Sequence, residues 1–171
     1  MPEYRRGSMI DVEDMQSIME KALNEQANQE YTDRELKALT QSYKKLFTGL
    51  LVNVSSIVYI AILNGEKAGF GGVTLTYKNI NALFVKPEYM SQGVGSDLLE
   101  LLEDEARDEG LDGLSVFASI NAVGFYENSG YRKYSEERIE TPDGRSVPSV
   151  LMTKEFEEGA NVPCEDILFE L

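Results

Sequence analysis

The 171-residue sequence predicts an α/β (α+β) protein built on a mixed, mostly antiparallel sheet flanked by helices. Three observations carry that prediction. Apolar residues recur at helical spacing near the N terminus and again in the centre of the chain. Short β-branched and aromatic runs lie between and after these stretches. Asn64-Gly65, the strongest short hairpin signal, joins two of those runs. The expected order is helix, helix, three strands, helix, strand, helix and a final strand pair, with a further strand at the N terminus left open.

Asp11 reads as the N-cap of the first helix, and Met15, Ile18, Met19, Ala22 and Leu23 make its single apolar face. Thr32 with Glu35 spells a capping box for the second, whose inner side is Leu36, Leu39, Tyr43 and Leu46 and whose stop is read at Gly49. Strands are then expected over Ile57–Leu63, Phe70–Tyr77 and Ile80–Val85, with Gly69, Gly71 and Gly72 marking a bulge or close packing. A long helix spans Gly95–Glu109, stopped by Gly110. Its outer positions Glu100, Glu103, Asp104, Asp108 and Glu109 read as a solvated face. Leu114–Ala118 is a short buried strand and Ala122–Ser129 a short helix. Tyr131–Glu140 and Val147–Phe156 pair across the turn Thr141-Pro142-Asp143-Gly144.

Length favours one domain over residues 1–171, with 157–171 as a C-terminal tail. Composition removes whole classes of chemistry. With no histidine, neither a Ser-His-Asp nor a Cys-His hydrolase can be assembled. With Cys164 as the sole cysteine, neither an intrachain disulfide nor a Cys/His zinc site is expected, and no metal is assigned. Thirty acids against sixteen bases, a net charge of −14, argue against nucleic acid as a partner. The longest apolar run, Ile57–Leu63, is far short of a membrane span. Arg5 and Arg6 are followed by Asp11, Glu13 and Asp14 instead of an apolar signal-peptide core, so a cytoplasmic location is expected.

The most informative stretch runs from Ile80 to Leu99. A strand ends at Pro87, and a loop with Gly93 and Gly95 opens a helix. Backbone N–H groups without helical partners and the positive end of the helix dipole make such a start an anion site. The same two glycines equally fit a bare strand-to-helix turn. A P-loop is excluded because no Gly-Lys pair occurs. A dinucleotide fingerprint lacks its third glycine, since Leu98 stands in its place.

A second cluster, Ala118–Tyr131 (ASINAVGFYENSGY), follows at a characteristic distance. Together with the Gly93/Gly95 loop and the closing strand PSVLMTKEF, it resembles the GNAT superfamily of acetyl-CoA-dependent N-acetyltransferases over roughly Ile57 to Phe156. The resemblance implies a sheet whose fourth and fifth strands splay apart, and acetyl-CoA as co-substrate with its pantetheine arm in the gap. Leu83, Phe84 and Val85 resemble the strand residues that pair with that arm. Ser91, Gln92, Gly93, Val94, Gly95 and Ser96 resemble the pyrophosphate loop, and Asn121 the residue beside the pantetheine. Tyr126 matches the tyrosine that donates a proton to the departing sulfur, although by its own position it reads as a core aromatic on a short helix.

Three positions depart from the family pattern. Met90 stands where an Arg or Gln usually begins the loop, Ser115-Val116-Phe117 lacks the Glu some members carry on the fifth strand, and no His replaces it. The resemblance implies direct attack by a primary amine of a small molecule or peptide, with a strand N–H near Phe84 or Val85 holding the oxyanion. The alternative is a GNAT-like protein that binds CoA or another ligand without turnover. Acceptor contacts are expected around Tyr31–Phe47, with Glu30, Tyr31 and Tyr43 as candidates. The apolar tail residues Ile167, Leu168, Phe169 and Leu171 are expected to pack on the domain or across a homodimer.

Overall fold

The computed structural model describes residues 1–156; Cys164 and the apolar tail residues lie outside them. One seven-stranded sheet runs in the order β1-β2-β3-β4-β5-β7-β6. Its strands are β1 (Glu3–Arg6), β2 (Ser56–Leu63), β3 (Glu66–Thr74), β4 (Asn79–Val85), β5 (Gly113–Ala118), β6 (Arg132–Glu140) and β7 (Ser146–Glu155). Every pairing is antiparallel except β4 with β5. The helices are α1 (Val12–Gln26), α2 (Asp33–Val52), α3 (Val94–Asp108) and α4 (Val123–Asn128). The mixed, mostly antiparallel sheet with flanking helices is the expected fold class. Among the described residues no helix is long and apolar enough to cross a membrane.

Helix packing follows the apolar spacing. Met15, Ile18, Met19 and Leu23 of α1 join Leu36, Leu39, Phe47 and Leu50 of α2 on Val58, Ile60, Phe70 and Ala82 of the sheet. Leu99, Leu102 and Ala106 of α3 cover Val73, Ile80, Leu114, Val116 and Met152 in a second cluster. The capping box forms as spelled, with Glu35 N–H on Thr32 Oγ1 (3.2 Å) and Thr32 N–H on Glu35 Oε2 (2.8 Å). Asn64 and Gly65 both take positive φ, the geometry of a type I′ hairpin turn.

Several local expectations change. Helix α2 passes through Gly49 to Val52, because Leu50 is buried against the sheet and outweighs the glycine's weak helix propensity of about 1 kcal/mol. The strand expected to reach Tyr77 stops at Thr74, and Leu75–Tyr77 forms a 3₁₀ turn closed by left-handed Lys78. Helix α3 starts one residue early, at Val94.

Glu103 is the fourth. It is 4% exposed instead of solvated, and its carboxylate accepts from Lys154 Nζ (2.9 and 3.0 Å), Tyr131 Oη (3.1 Å) and Arg107 (3.3 Å). The last hairpin brings Lys154 and Tyr131 over the side of α3 that the helix alone would leave wet.

Asp11 does not cap α1 with its side chain. Its fully buried carboxylate takes both guanidinium nitrogens of Arg5 (2.8 and 2.9 Å), Lys67 Nζ (2.9 Å) and Ser8 N–H (2.9 Å), tying β1, β3 and α1 together. These partners, Arg5 foremost, hold its acidity well below the ordinary carboxylate range. The depressed folded-state value means stability that is complete above the ordinary range and is lost as pH falls through and below it. Asp11→Asn is therefore expected to destabilise the protein at neutral pH and to flatten the loss of stability on acidification. Urea melts below about pH 5 check this, since carboxylate linkage acts there. An unchanged acid limb would remove Asp11 as its source.

Candidate active site

Strands β4 and β5 pair at only two positions, Asn79↔Ser115 and Ile80↔Val116. Beyond Ile80 they part. The cause lies on the other edge of β4, where Gly72 pairs with Ala82 and Val73 with Ile80, leaving Asn81 as an extra residue. Such a bulge bends its strand. Thr74 Oγ1, bonded to Ser56 Oγ (2.8 Å), donates to Asn81 Oδ1 (2.9 Å) and pins the bulge in place. The expected splay of the fourth and fifth strands is present.

The main chain of β4 alternates its partners. Lys86 N–H donates to Ala68 O (2.8 Å) and Phe84 pairs with Phe70, so Phe84 is bonded into β3. The N–H groups of Leu83 and Val85 consequently face the gap. This narrows the expected oxyanion donor: Phe84 N–H is spent in the ladder, and Val85 or Leu83 N–H is the group open to a ligand. The Phe84 ring packs on Tyr43 (4.9 Å, near-perpendicular) and contributes to the wall. Gly71 makes room behind Leu83, since a Cβ there would lie 3.0 Å from Leu83 Cδ1 and 3.1 Å from Leu102 Cδ1.

Below the splay, a cleft of about 520 Å³ is lined by Leu83, Phe84, Val85, Ser91, Gly93, Gly95, Ser96, Asn121 and Tyr126. Two of the expected loop residues stand apart. Val94 is buried on Leu98, Ala61 and Ala68, and the Gln92 amide donates to Glu88 O (3.2 Å) at the surface. Four more residues line the cleft beyond the expected set: Gln26 and Tyr89, and, from within the Ala118–Tyr131 segment, Ala122 and Phe125. Gln26, the last residue of α1, reaches across to Val85 O (3.2 Å). Only folding brings it there. Met90, noted in the sequence as a departure, also lines the cleft.

Helix α3 points its N terminus into this cleft. Gly93 is the N-cap at φ +84°, a conformation that favours glycine, and has no side chain to satisfy the first turn. The N–H groups from Gly93 to Ser96 have no partner within the helix, and the dipole adds positive potential there. Ser91 is also held at φ +61°, which costs a non-glycine residue about 1–3 kcal/mol and marks a loop shaped for a purpose other than stability. The loop therefore presents an anion cradle made of backbone.

Tyr126 sits where the cleft meets a second, smaller chamber of about 30 Å³, lined also by Tyr43, Asn81, Phe117 and Ser119. Its ring is 4% exposed and packs on Phe125 (5.1 Å) and Tyr131 (5.5 Å). Among the described residues its hydroxyl has no hydrogen-bond partner. Burial, with a smaller contribution from Tyr43, holds the phenol far above its ordinary value, so it stays protonated at any physiological pH. Tyr126 thus packs as a core aromatic and also lines both cavities.

Of the acceptor candidates, Tyr43 lines the small chamber, and burial raises its phenol to about 12. Tyr31 does not line either cavity. Its hydroxyl donates to Pro148 O and accepts Ile120 N–H, both at 2.8 Å, and so fixes the turn that carries Asn121. Glu30 is exposed and lines neither. No group of three or more Asp, Glu and Cys side chains able to hold a metal occurs among the described residues.

The chain matches the family model described as an acetyltransferase (GNAT) domain over residues 18–155. It is 31% identical over 131 residues to the uncharacterized N-acetyltransferase YafP of Escherichia coli K12, covering 76% of this chain and 81% of that one. A GCN5-related N-acetyltransferase structure from Rhodopseudomonas palustris superposes with a TM-score of 0.83 at 25% identity, over 91% of this chain and 96% of that one. The PaiA N-acetyltransferase from Thermoplasma acidophilum, solved in complex with coenzyme A, shares the fold with a TM-score of 0.74 at 18% identity, over 91% and 99%.

Proposed function

Because the chain belongs to the acetyltransferase (GNAT) domain family, we propose that it transfers the acetyl group of acetyl-CoA to a primary amine of a small molecule or peptide by direct attack. The observation that carries this reading is Tyr126, a buried, protonated phenol that lines both cavities and whose hydroxyl has no hydrogen-bond partner among the described residues. The residues present fit the co-substrate. Backbone donors from Gly93 to Ser96 suit a diphosphate, the unpaired edge of β4 at Leu83 and Val85 suits the amides of the pantetheine arm, and Asn121 lines the same cleft. Two structural neighbours, PaiA of Thermoplasma acidophilum solved with coenzyme A and one from Bacillus anthracis solved with acetyl coenzyme A, support the same choice.

Within this geometry the acceptor nitrogen attacks the thioester carbonyl, whose oxygen gains negative charge. A preorganised N–H from β4, at Val85 or Leu83, stabilises that charge without reorganisation. The carbon–sulfur bond then breaks and Tyr126 supplies a proton to the departing sulfur, while the proton lost by the acceptor nitrogen passes to solvent water and solvent reprotonates the phenol. Holding both reactants on either side of one narrow gap supplies the orientation.

Acetyl-CoA is expected to raise the melting temperature of the protein, since a ligand that binds only the folded state stabilises it by mass action. Gly93→Ala is expected to shrink that rise, and to lower the variant's own stability by about 1–2 kcal/mol because alanine disfavours positive φ. No rise with acetyl-CoA in the parent protein would remove the proposal.

A further inference from the structure

Where β5 leaves β4, the main chain of β4 loses a strand partner on that side, and the N–H and C=O groups of Leu83 and Val85 face the gap. One of these four groups has a side-chain partner. Val85 O accepts from Gln26 Nε2 (3.2 Å), so the end of α1 supplies a donor where β5 has turned away. A carbonyl oxygen only accepts, so the atom facing it is the amide nitrogen. Gln26 Oε1 has no hydrogen-bond partner among the described residues, and Gln26 lines the cleft. We propose that Gln26 is a binding residue for the pantetheine arm of the co-substrate, its amide oxygen accepting the arm N–H nearest the diphosphate. The inference rests on the acetyl-transfer reading above and adds a residue to that same site.

Its place along the cleft decides which part of the arm it meets. Val85 lies beside the anion cradle: a Cβ at Gly95 would stand 3.7 Å from Val85 Cγ2 and 3.4 Å from Phe125 Cε2. Gln26, Val85, Gly95 and Phe125 line the same cleft. A diphosphate held on the N–H groups from Gly93 to Ser96 therefore brings its arm onto β4 at Val85 first. Leu83 is two residues, about 7 Å, farther along the strand. An amide that docks on a strand edge needs a donor and an acceptor there. At Val85 the edge gives its N–H, while its oxygen is already engaged by Nε2. The Gln26 amide restores the acceptor beside it.

Glutamine suits both parts of this task. Glutamate could not donate to Val85 O, and methionine keeps the length of the side chain but neither donates to that oxygen nor offers an amide acceptor. The bond to Val85 O orients the amide in advance, so less freedom is lost when the arm docks. The segment is anchored as well, because Ala27, the next residue, is fully buried in the cluster under α1 and α2.

The test uses two ligands: acetyl-CoA, and 3′-phosphoadenosine 5′-diphosphate, which keeps the diphosphate and lacks the arm. Each is titrated calorimetrically into the full chain and into its Gln26→Met variant, which retains a good helix former of similar length. The variant is expected to bind acetyl-CoA about 3–10-fold more weakly, the worth of one neutral hydrogen bond. It should bind the arm-less nucleotide as the parent does. In steady-state assays the KM for acetyl-CoA should rise with kcat nearly unchanged. Unchanged or tighter binding of acetyl-CoA by Gln26→Met overturns the inference. So does an equal loss for both ligands, which would make Gln26 a brace of the cleft wall, and so does a fall in kcat with KM unchanged. If acetyl-CoA does not bind the parent protein, the acetyl-transfer reading fails first.

Discussion

Tyr126→Phe is expected to lower kcat by about 10²–10³-fold while leaving acetyl-CoA binding nearly unchanged, within the range of positioned general acids. The substitution removes one oxygen and keeps the ring. The contacts with Phe125 and Tyr131 that hold α4 are ring contacts, so the fold and the cleft wall persist. Because the hydroxyl has no hydrogen-bond partner among the described residues, its loss orphans no donor or acceptor there, and stability should change by less than about 1 kcal/mol. The effect should therefore appear in turnover. Steady-state kinetics with a saturating amine, together with the melting shift caused by acetyl-CoA, separates the two. Turnover equal to that of the parent would leave Tyr126 as a core aromatic, whereas no acetyl transfer by the parent to any amine of a broad panel would favour a protein that binds CoA without using it. That alternative draws on Met90 at the head of the loop and on the missing acid at Ser115-Val116-Phe117.

Glu103→Leu is expected to cost about 3–5 kcal/mol, the usual penalty for breaking a buried ion pair from one side. Lys154, Tyr131 and Arg107 all donate to this carboxylate, and each would lose its acceptor. Adding Lys154→Met should recover a large part of the loss, because replacing both members of a buried pair removes the stranded charge. Urea denaturation of the two single variants and the double variant measures this coupling. Additive losses would mean that Glu103 and Lys154 act independently. The same change bears on the site through Tyr131, whose ring backs Tyr126 and whose N–H donates to Tyr126 O (3.0 Å). A looser Tyr131 should lower turnover modestly even in molecules that remain folded.

Much of this arrangement is written in short spans of chain. The Thr32/Glu35 box, the Asn64-Gly65 turn, the apolar stripes of α1 and α3 and the Gly93 helix start all form from residues within about one or two turns of each other, where local sterics and hydrogen bonding dominate. The Gly93/Gly95 loop and the segment around Tyr126 were legible as a site only in combination, through their order and separation. Misreadings occur where distant segments meet. Gly49 did not stop α2, because Leu50 is held by the sheet.

By itself, then, the sequence determined the fold class, most of the elements and the loop that offers backbone donors. Tertiary structure alone decided the mouth of the site. The extra residue that parts β4 from β5 is Asn81, and it is visible only in the register between strands. Gln26 on Val85, Tyr31 under the turn that carries Asn121 and Glu103 beneath the last hairpin are bonds across roughly 50 to 120 residues of chain, each made by a polar group that local patterning assigns to solvent or core. Periodicity reports which face of an element turns inward. It does not report what that face will meet, because the partner is chosen by the packing of the whole sheet.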